Sequence, residues 1–166
     1  MRRFSVFLIP ILLLVACGKE EGQSHDSPNR VEAKTFTLKG LDGREYSLQS
    51  ARGNVVLLDF WATWCPPCKK EIPQLIALYR KYEDTQFLLW GIGLDRPEAL
   101  ESFSQQFGMP YPTLVGTQEI QSAYGVRAIP TVFIIDKLGR VAAHFQGYRE
   151  GMETQFDKEI RRLLDE

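Results

Sequence analysis

One stretch constrains this chain more than any other: Val55-Val56-Leu57-Leu58-Asp59-Phe60-Trp61-Ala62-Thr63-Trp64-Cys65-Pro66-Pro67-Cys68-Lys69-Lys70-Glu71-Ile72-Pro73. Its first part is a continuous apolar run rich in β-branched and aromatic residues, the pattern of a strand buried on both faces. From Pro66 onward the apolar residues fall at Cys68, Ile72, Leu75, Ile76 and Tyr79, which is helical spacing on one face. Cys65 and Cys68 therefore sit where a strand hands over to a helix. Pro66 and Pro67 are tolerated there because first-turn N–H groups have no partner within the helix.

That placement implies chemistry. A helix N-terminus offers free N–H groups and about half a positive charge, so an anion is favoured there. A thiolate on Cys65 would be held in that field, with the Cys68 N–H as its donor. A free cysteine titrates near pH 8.5, and lowering it by about two units requires roughly 2.7 kcal/mol of preference for the anion. A helix terminus with a charge-assisted hydrogen bond supplies energies of this order. Cys68, one turn further in, is expected to be more buried and to resolve a mixed disulfide.

The amino terminus follows a different logic. Arg2 and Arg3 precede an apolar segment from Phe4 to Val15, too short to span a bilayer comfortably. Residues 1–16 are expected to be a signal peptide. Leu14-Val15-Ala16-Cys17 resembles a bacterial lipobox, in which Cys17 is lipidated and becomes the first residue. The alternatives are an uncleaved anchor or a cleaved signal with a free cysteine. The three cysteines then divide into one lipid attachment and one redox pair. Export also places the pair where disulfides persist. Residues 17–32 are expected to be a polar tether carrying His25, read as solvated, and 33–166 a single domain. The formal charge is −1 and becomes −3, with 18 basic and 21 acidic residues, once Arg2 and Arg3 are removed. That balance argues against nucleic acid as a partner.

Beyond the tether, Lys34–Lys39 and Arg44–Leu48 flank Asp42-Gly43, a hairpin signal. The helix after Cys65 is expected to reach Tyr82, with Pro73 bending it. A strand over Gln86–Gly93 precedes an amphipathic helix over Glu98–Phe107, which Gly108 and Pro110 end. Shorter elements follow at Pro112–Gly116 and Glu119–Tyr124. Strands over Ile129–Asp136 and Val141–Gln146 lead to a closing helix marked by Met152, Phe156, Ile160, Leu163 and Leu164. The alternation implies an α/β fold, a mixed sheet with helices on both faces.

Two segments carry a resemblance. Asp59-Phe60-Trp61-Ala62 leading into Trp64-Cys65-Pro66-Pro67-Cys68 is similar to the active-site segment of the thioredoxin superfamily. Tyr124-Gly125-Val126-Arg127-Ala128-Ile129-Pro130-Thr131 is similar to its cis-proline segment. Lys69-Lys70-Glu71-Ile72-Pro73 further resembles the exported, membrane-tethered TlpA/ResA-type branch. The resemblance implies a thioredoxin-like fold with an amino-terminal hairpin and a central helix-strand insertion over Asp95–Gly116. It also implies a cis bond before Pro130, and thiol-disulfide exchange, often as a reductant in cytochrome c maturation. Glu71 matches an acid of that branch and Asp59 the buried aspartate of thioredoxin proper; the chain carries both.

Each residue has a plainer alternative. The cysteines could be a static disulfide or half a zinc site, but no second pair of ligands stands at suitable spacing. Lys69 in place of histidine argues against haem attachment. Asp59 is either a proton acceptor for Cys68 or an acid turned to solvent at the strand end. Glu71 either shares that role or is a first-turn acid complementing the dipole. Trp64, Pro66, Pro67, Ile129 and Pro130 are expected to line the substrate surface, Trp64 shielding the disulfide. Trp61 serves that surface or simply packs. Lys69 and Lys70 either help the thiolate or are solvated, the second being the reading taken, and His144, alternating outward on a late strand, is read as inert.

The reading is a monomeric, extracytoplasmic, lipid-anchored thiol-disulfide oxidoreductase acting on protein disulfides and re-reduced by a membrane thiol transporter, with no cofactor and no metal. Three alternatives stand beside it. An oxidase or isomerase would run the same chemistry in reverse. A peroxidase would require a Pro-x-x-x-Thr-x-x-Cys context, whereas Thr63 lies two residues before Cys65. A copper-binding module would space its cysteines by three and add a histidine.

Overall fold

The computed structural model describes residues 30–166. The signal peptide, the Cys17 lipidation site and all but the last three residues of the expected tether lie outside the described residues. Strand β3 (Val55–Trp61) is the axis of the fold, buried at every position as its apolar run requires. It pairs in parallel with β4 (Phe87–Gly93) and antiparallel with β6 (Thr131–Ile135). β5 (Thr113–Val115) continues the sheet beyond β4, and β7 (Val141–Gln146) beyond β6. The order is β5-β4-β3-β6-β7, a mixed sheet.

The pleat of β3 divides the core. Val55 and Leu57 pack with Leu75 and Leu78 of α1 (Pro66–Tyr82) and with Phe156 and Ile160 of α4 (Met152–Asp165). Val56, Leu58 and Phe60 face the other way, towards Trp90, Phe133 and Ile120 of α3 (Gln118–Ala123). Asp59 and Trp61 share the parity of Val55 and Leu57, so period-2 alternation aims them at the α1 face. α1 runs through Pro73 without interruption. α2 (Pro97–Phe107) packs Leu100 and Phe103 against Trp61 and the cysteines. It ends where Gly108 takes φ 60°, donating its N–H to Ser104 and Gln105 carbonyls.

The hairpin of β1 (Thr37–Lys39) and β2 (Glu45–Ser47) forms a small sheet of its own. Leu41 donates its N–H to the Thr113 carbonyl at 2.9 Å, docking the hairpin on β5 and covering an edge that would otherwise be open. Packing begins earlier in the chain than the expected boundary at residue 33. The Val141 N–H donates to the Val31 carbonyl at 2.9 Å, and Arg30 pairs with Asp136 at 2.9 Å and Glu166 at 2.8 Å. A buried carboxylate at 136 requires such a partner, and pattern alone does not reveal one 106 residues away. Among the described residues no helix is long and apolar enough to cross a membrane.

Candidate active site

Cys65 is the N-cap of α1, in extended conformation, with Pro66 and Pro67 on the first turn. Its sulfur accepts the Cys68 N–H at 3.2 Å, the donor expected from sequence. The two sulfurs are bonded at 2.03 Å with Cα atoms 5.3 Å apart, so this is the oxidised form. Cys65 is 2% exposed and Cys68 fully buried, a smaller contrast than their order on the helix suggested. The reason lies in packing: Trp61, Ala62, Ile72, Leu100 and Phe103 enclose both.

Around the pair, Trp64 projects into solvent, 66% exposed, and Pro66 is exposed beside it, while Pro67 is half-buried. The Ile129–Pro130 bond is cis. Because Phe60 pairs with Thr131 across β3 and β6, this bond lies level with the end of β3, and Ile129 packs against the cysteine cluster. Residues more than sixty positions apart in sequence thus meet. Trp61 is fully buried, its ring 5.0 Å from Phe103, so the packing alternative holds for it. Lys69 and Lys70 are exposed, Lys69 with its Nζ 5.8 Å from the Phe103 centroid. His144 is exposed and stacked on Phe133 at 4.4 Å.

The two acids are not where their plainer alternatives put them. Asp59 is fully buried rather than turned to solvent. Glu71 is 1% exposed and stands in the second turn of α1, whose first turn holds no acid. None of their four carboxyl oxygens has a hydrogen-bond partner among the described residues, and the same is true of Tyr111 OH and Trp61 Nε1. Burial raises both carboxyls, Glu71 to about 7, and the charge of Glu71 pushes Asp59 further in the same direction. Both carboxyls are buried and raised, so neither is a surface charge.

Two contributions escaped the sequence. Thr63 donates its hydroxyl to Asp95 Oδ2, and the Leu94 N–H donates to the Trp61 carbonyl at 2.8 Å, tying the turn before Cys65 to the start of α2. The Thr63 bond, with the Arg96 N–H, holds the Asp95 carboxyl below its ordinary value. Tyr111, in a loop with no periodic signal, is buried, and burial together with the charges of Asp59 and Glu71 pushes its hydroxyl well above its ordinary value. No cluster of three or more His, Cys, Asp or Glu among the described residues is arranged to hold a metal ion.

Residues 30–144 match the model of the AhpC/TSA family. The chain belongs to the AhpC/TSA family. Within that AhpC/TSA family it is 39% identical over 111 residues to the thiol-disulfide oxidoreductase ResA of Geobacillus thermodenitrificans, covering 66% of this chain and 64% of that one. It is 30% identical to the protein of the same name in Bacillus thuringiensis subsp. konkukian, over 98% of this chain and 99% of that one. Among solved structures, the thiol:disulfide interchange protein, thioredoxin family protein, of Chlorobium tepidum TLS aligns with TM-score 0.74 and 28% identity, over 82% of this chain and 97% of that one. The pneumococcal exposed lipoprotein thioredoxin of Streptococcus pneumoniae aligns with TM-score 0.69 and 25% identity, over 78% and 100%. This AhpC/TSA member is a thioredoxin-like thiol-disulfide oxidoreductase.

Proposed function

We propose that the chain is a lipid-anchored reductase of protein disulfides on the extracytoplasmic side of a bacterial membrane, attached through Cys17 after removal of residues 1–16. The observation that carries the reading is the Cys65 sulfur at the N-cap of α1 with the Cys68 N–H upon it. In the reduced protein that N–H and the helix field favour the thiolate on Cys65. The thiolate attacks a substrate disulfide, forming a bond to one substrate sulfur and expelling the other. Cys68 loses its proton to the buried acids and attacks Cys65, closing the observed disulfide and releasing the second substrate thiolate. Trp64, Pro66, Pro67, Ile129 and Pro130 form the surface on which an extended substrate lies, paired partly through backbone groups. A membrane thiol-reducing partner returns the cysteines to the dithiol form.

The relatives named thiol-disulfide oxidoreductase support the exchange chemistry; the reducing direction is part of the proposal, with cytochrome c precursors as the first substrates to test. The lipoprotein named among the structural neighbours supports the anchor. Cys68→Ser in cells tests the mechanism: it is expected to trap disulfide-linked partners through Cys65, and recovery of none would count against it. A reduction potential near −270 mV marks a reductant and one near −120 mV an oxidant.

A further inference from the structure

The disulfide is flanked by exposed cations that the exchange reaction leaves without a role. Residues 30–166 carry 17 basic and 18 acidic side chains, so the domain as a whole is close to neutral. Lys69 and Lys70, which follow Cys68 on α1, and Arg127, two residues before Ile129, are nevertheless all exposed. None of the three forms an ion pair among the described residues. Lys69 and Lys70 have no acid three or four residues away on α1, the spacing at which a helix pairs its own charges. No acid stands within four residues of Arg127.

Sheet order sets these charges on both sides of the cysteines. β3 delivers Cys65, with β4 on one side of it and β6 on the other. Lys69 leans to the β4 side, its Nζ 5.8 Å from the centroid of Phe103 on α2, the helix that β4 feeds. Arg127 stands on the β6 side, in the loop that enters that strand through the cis Ile129–Pro130 bond. That loop is pinned around it. Gln121 Nε2 donates to the Val126 carbonyl at 3.3 Å, and the Thr131 hydroxyl to the Ala128 carbonyl at 2.7 Å. The exposed acids at this end stand beside other cations, Glu98 two residues from Arg96 and Glu150 next to Arg149. Asp95 is engaged by Thr63 and the Arg96 N–H. Asp59 and Glu71 are buried, with both carboxyls raised.

We propose that Lys69, Lys70 and Arg127 select the client, so that this surface favours protein disulfides flanked by acidic residues. The proposal rests on the reductase reading above and names the substrate class of that same site. A client segment lying across Trp64 and Pro130 advances about 3.3 Å per residue, which brings aspartates or glutamates a few positions from its cysteine within reach of these long side chains. Exposed charges act over about 10 Å at 0.1 M salt and about 3 Å at 1 M. They therefore speed encounter and fix register rather than alter the chemistry at sulfur. The same cations repel a lysine-rich segment, so discrimination comes from both signs of charge.

The test compares synthetic peptides that share one Cys-x-x-Cys disulfide and differ in their flanks, which are all Asp, all Asn or all Lys. The reduced full-length protein, in neutral detergent, is mixed with each, and the peptide thiols formed are separated and measured over time. At about 20 mM salt the Asp peptide should react about tenfold faster than the Asn peptide, and the Lys peptide slowest. At about 1 M salt the three should agree within about twofold. Lys70→Glu combined with Arg127→Glu should abolish the preference for Asp and leave reduction of hydroxyethyl disulfide, which is small and uncharged, unchanged. Equal rates for the three peptides at low salt overturn the proposal. So does a variant that slows hydroxyethyl disulfide as much as the Asp peptide, since the cations would then act on the thiolate. If the peptides do not differ but the protein prefers phosphatidylglycerol to phosphatidylcholine vesicles and the variant loses that preference, the cations face lipid and the proposal falls. If wild type reduces neither the Asn peptide nor hydroxyethyl disulfide, it is the underlying reductase reading that fails.

Discussion

Replacing Glu71 by glutamine should make the protein more stable and less active, and the size of the gain follows from burial. In the folded protein the carboxyl is raised from 4.5 to about 7 by desolvation. The unfolded chain releases that proton near pH 4.3. Between those values the native state binds more protons than the unfolded state, so stability falls as pH rises through the window and levels off above pH 7. A shift of this size corresponds to about 3 kcal/mol. Asp59 works in the same direction, since its carboxyl is raised by burial and by the charge of Glu71. Glutamine keeps the shape and does not titrate, so Glu71→Gln should match wild type within about 1 kcal/mol at pH 4 and exceed it by up to about 3 kcal/mol at pH 8. Urea denaturation of the oxidised protein at intervals from pH 4 to 8 measures both curves. Wild-type stability that is flat or rising from pH 4.5 to 7, or a variant weaker than wild type at pH 8, would refute the reasoning. The accompanying loss in the resolving step would place this acid among residues retained for activity at a cost in stability.

Gly91→Ala forces a methyl group to 2.9 Å from Trp61 Nε1 and should lower stability by about 1–3 kcal/mol in thermal denaturation. Arg30→Ala removes one of the cations on Asp136. Burial alone would raise that carboxyl, but the Arg140 N–H and the Arg30 and Arg140 guanidiniums outweigh it and hold it low. A depressed carboxyl contributes stability above its unfolded pKa of about 3.9, so the variant should lose about 1–3 kcal/mol at pH 7 and converge on wild type as pH falls through the folded value. Trp64→Ala should change stability by less than about 0.5 kcal/mol, because the ring is 66% exposed, while slowing turnover of a protein disulfide far more than of a small one.

The local chemistry was legible in the chain itself. A strand pattern breaking at Trp64, two prolines and a new helical period fixed Cys65 as a helix cap, and the Cys68 N–H lies upon its sulfur as that pattern demands. The hairpin, the helix and strand between Asp95 and Gly116, and the closing helix followed from periodicity and turn residues, because those signals act over a few residues. Tertiary structure alone decided the burial of Glu71, the docking of Arg30 on Asp136, the Thr63–Asp95 tie and the burial of Tyr111 against Gly91. Each joins segments distant in sequence, and whether a carboxyl is solvated depends on what the rest of the chain lays over it. Charge type is written in the residue; its pKa is set by its neighbours.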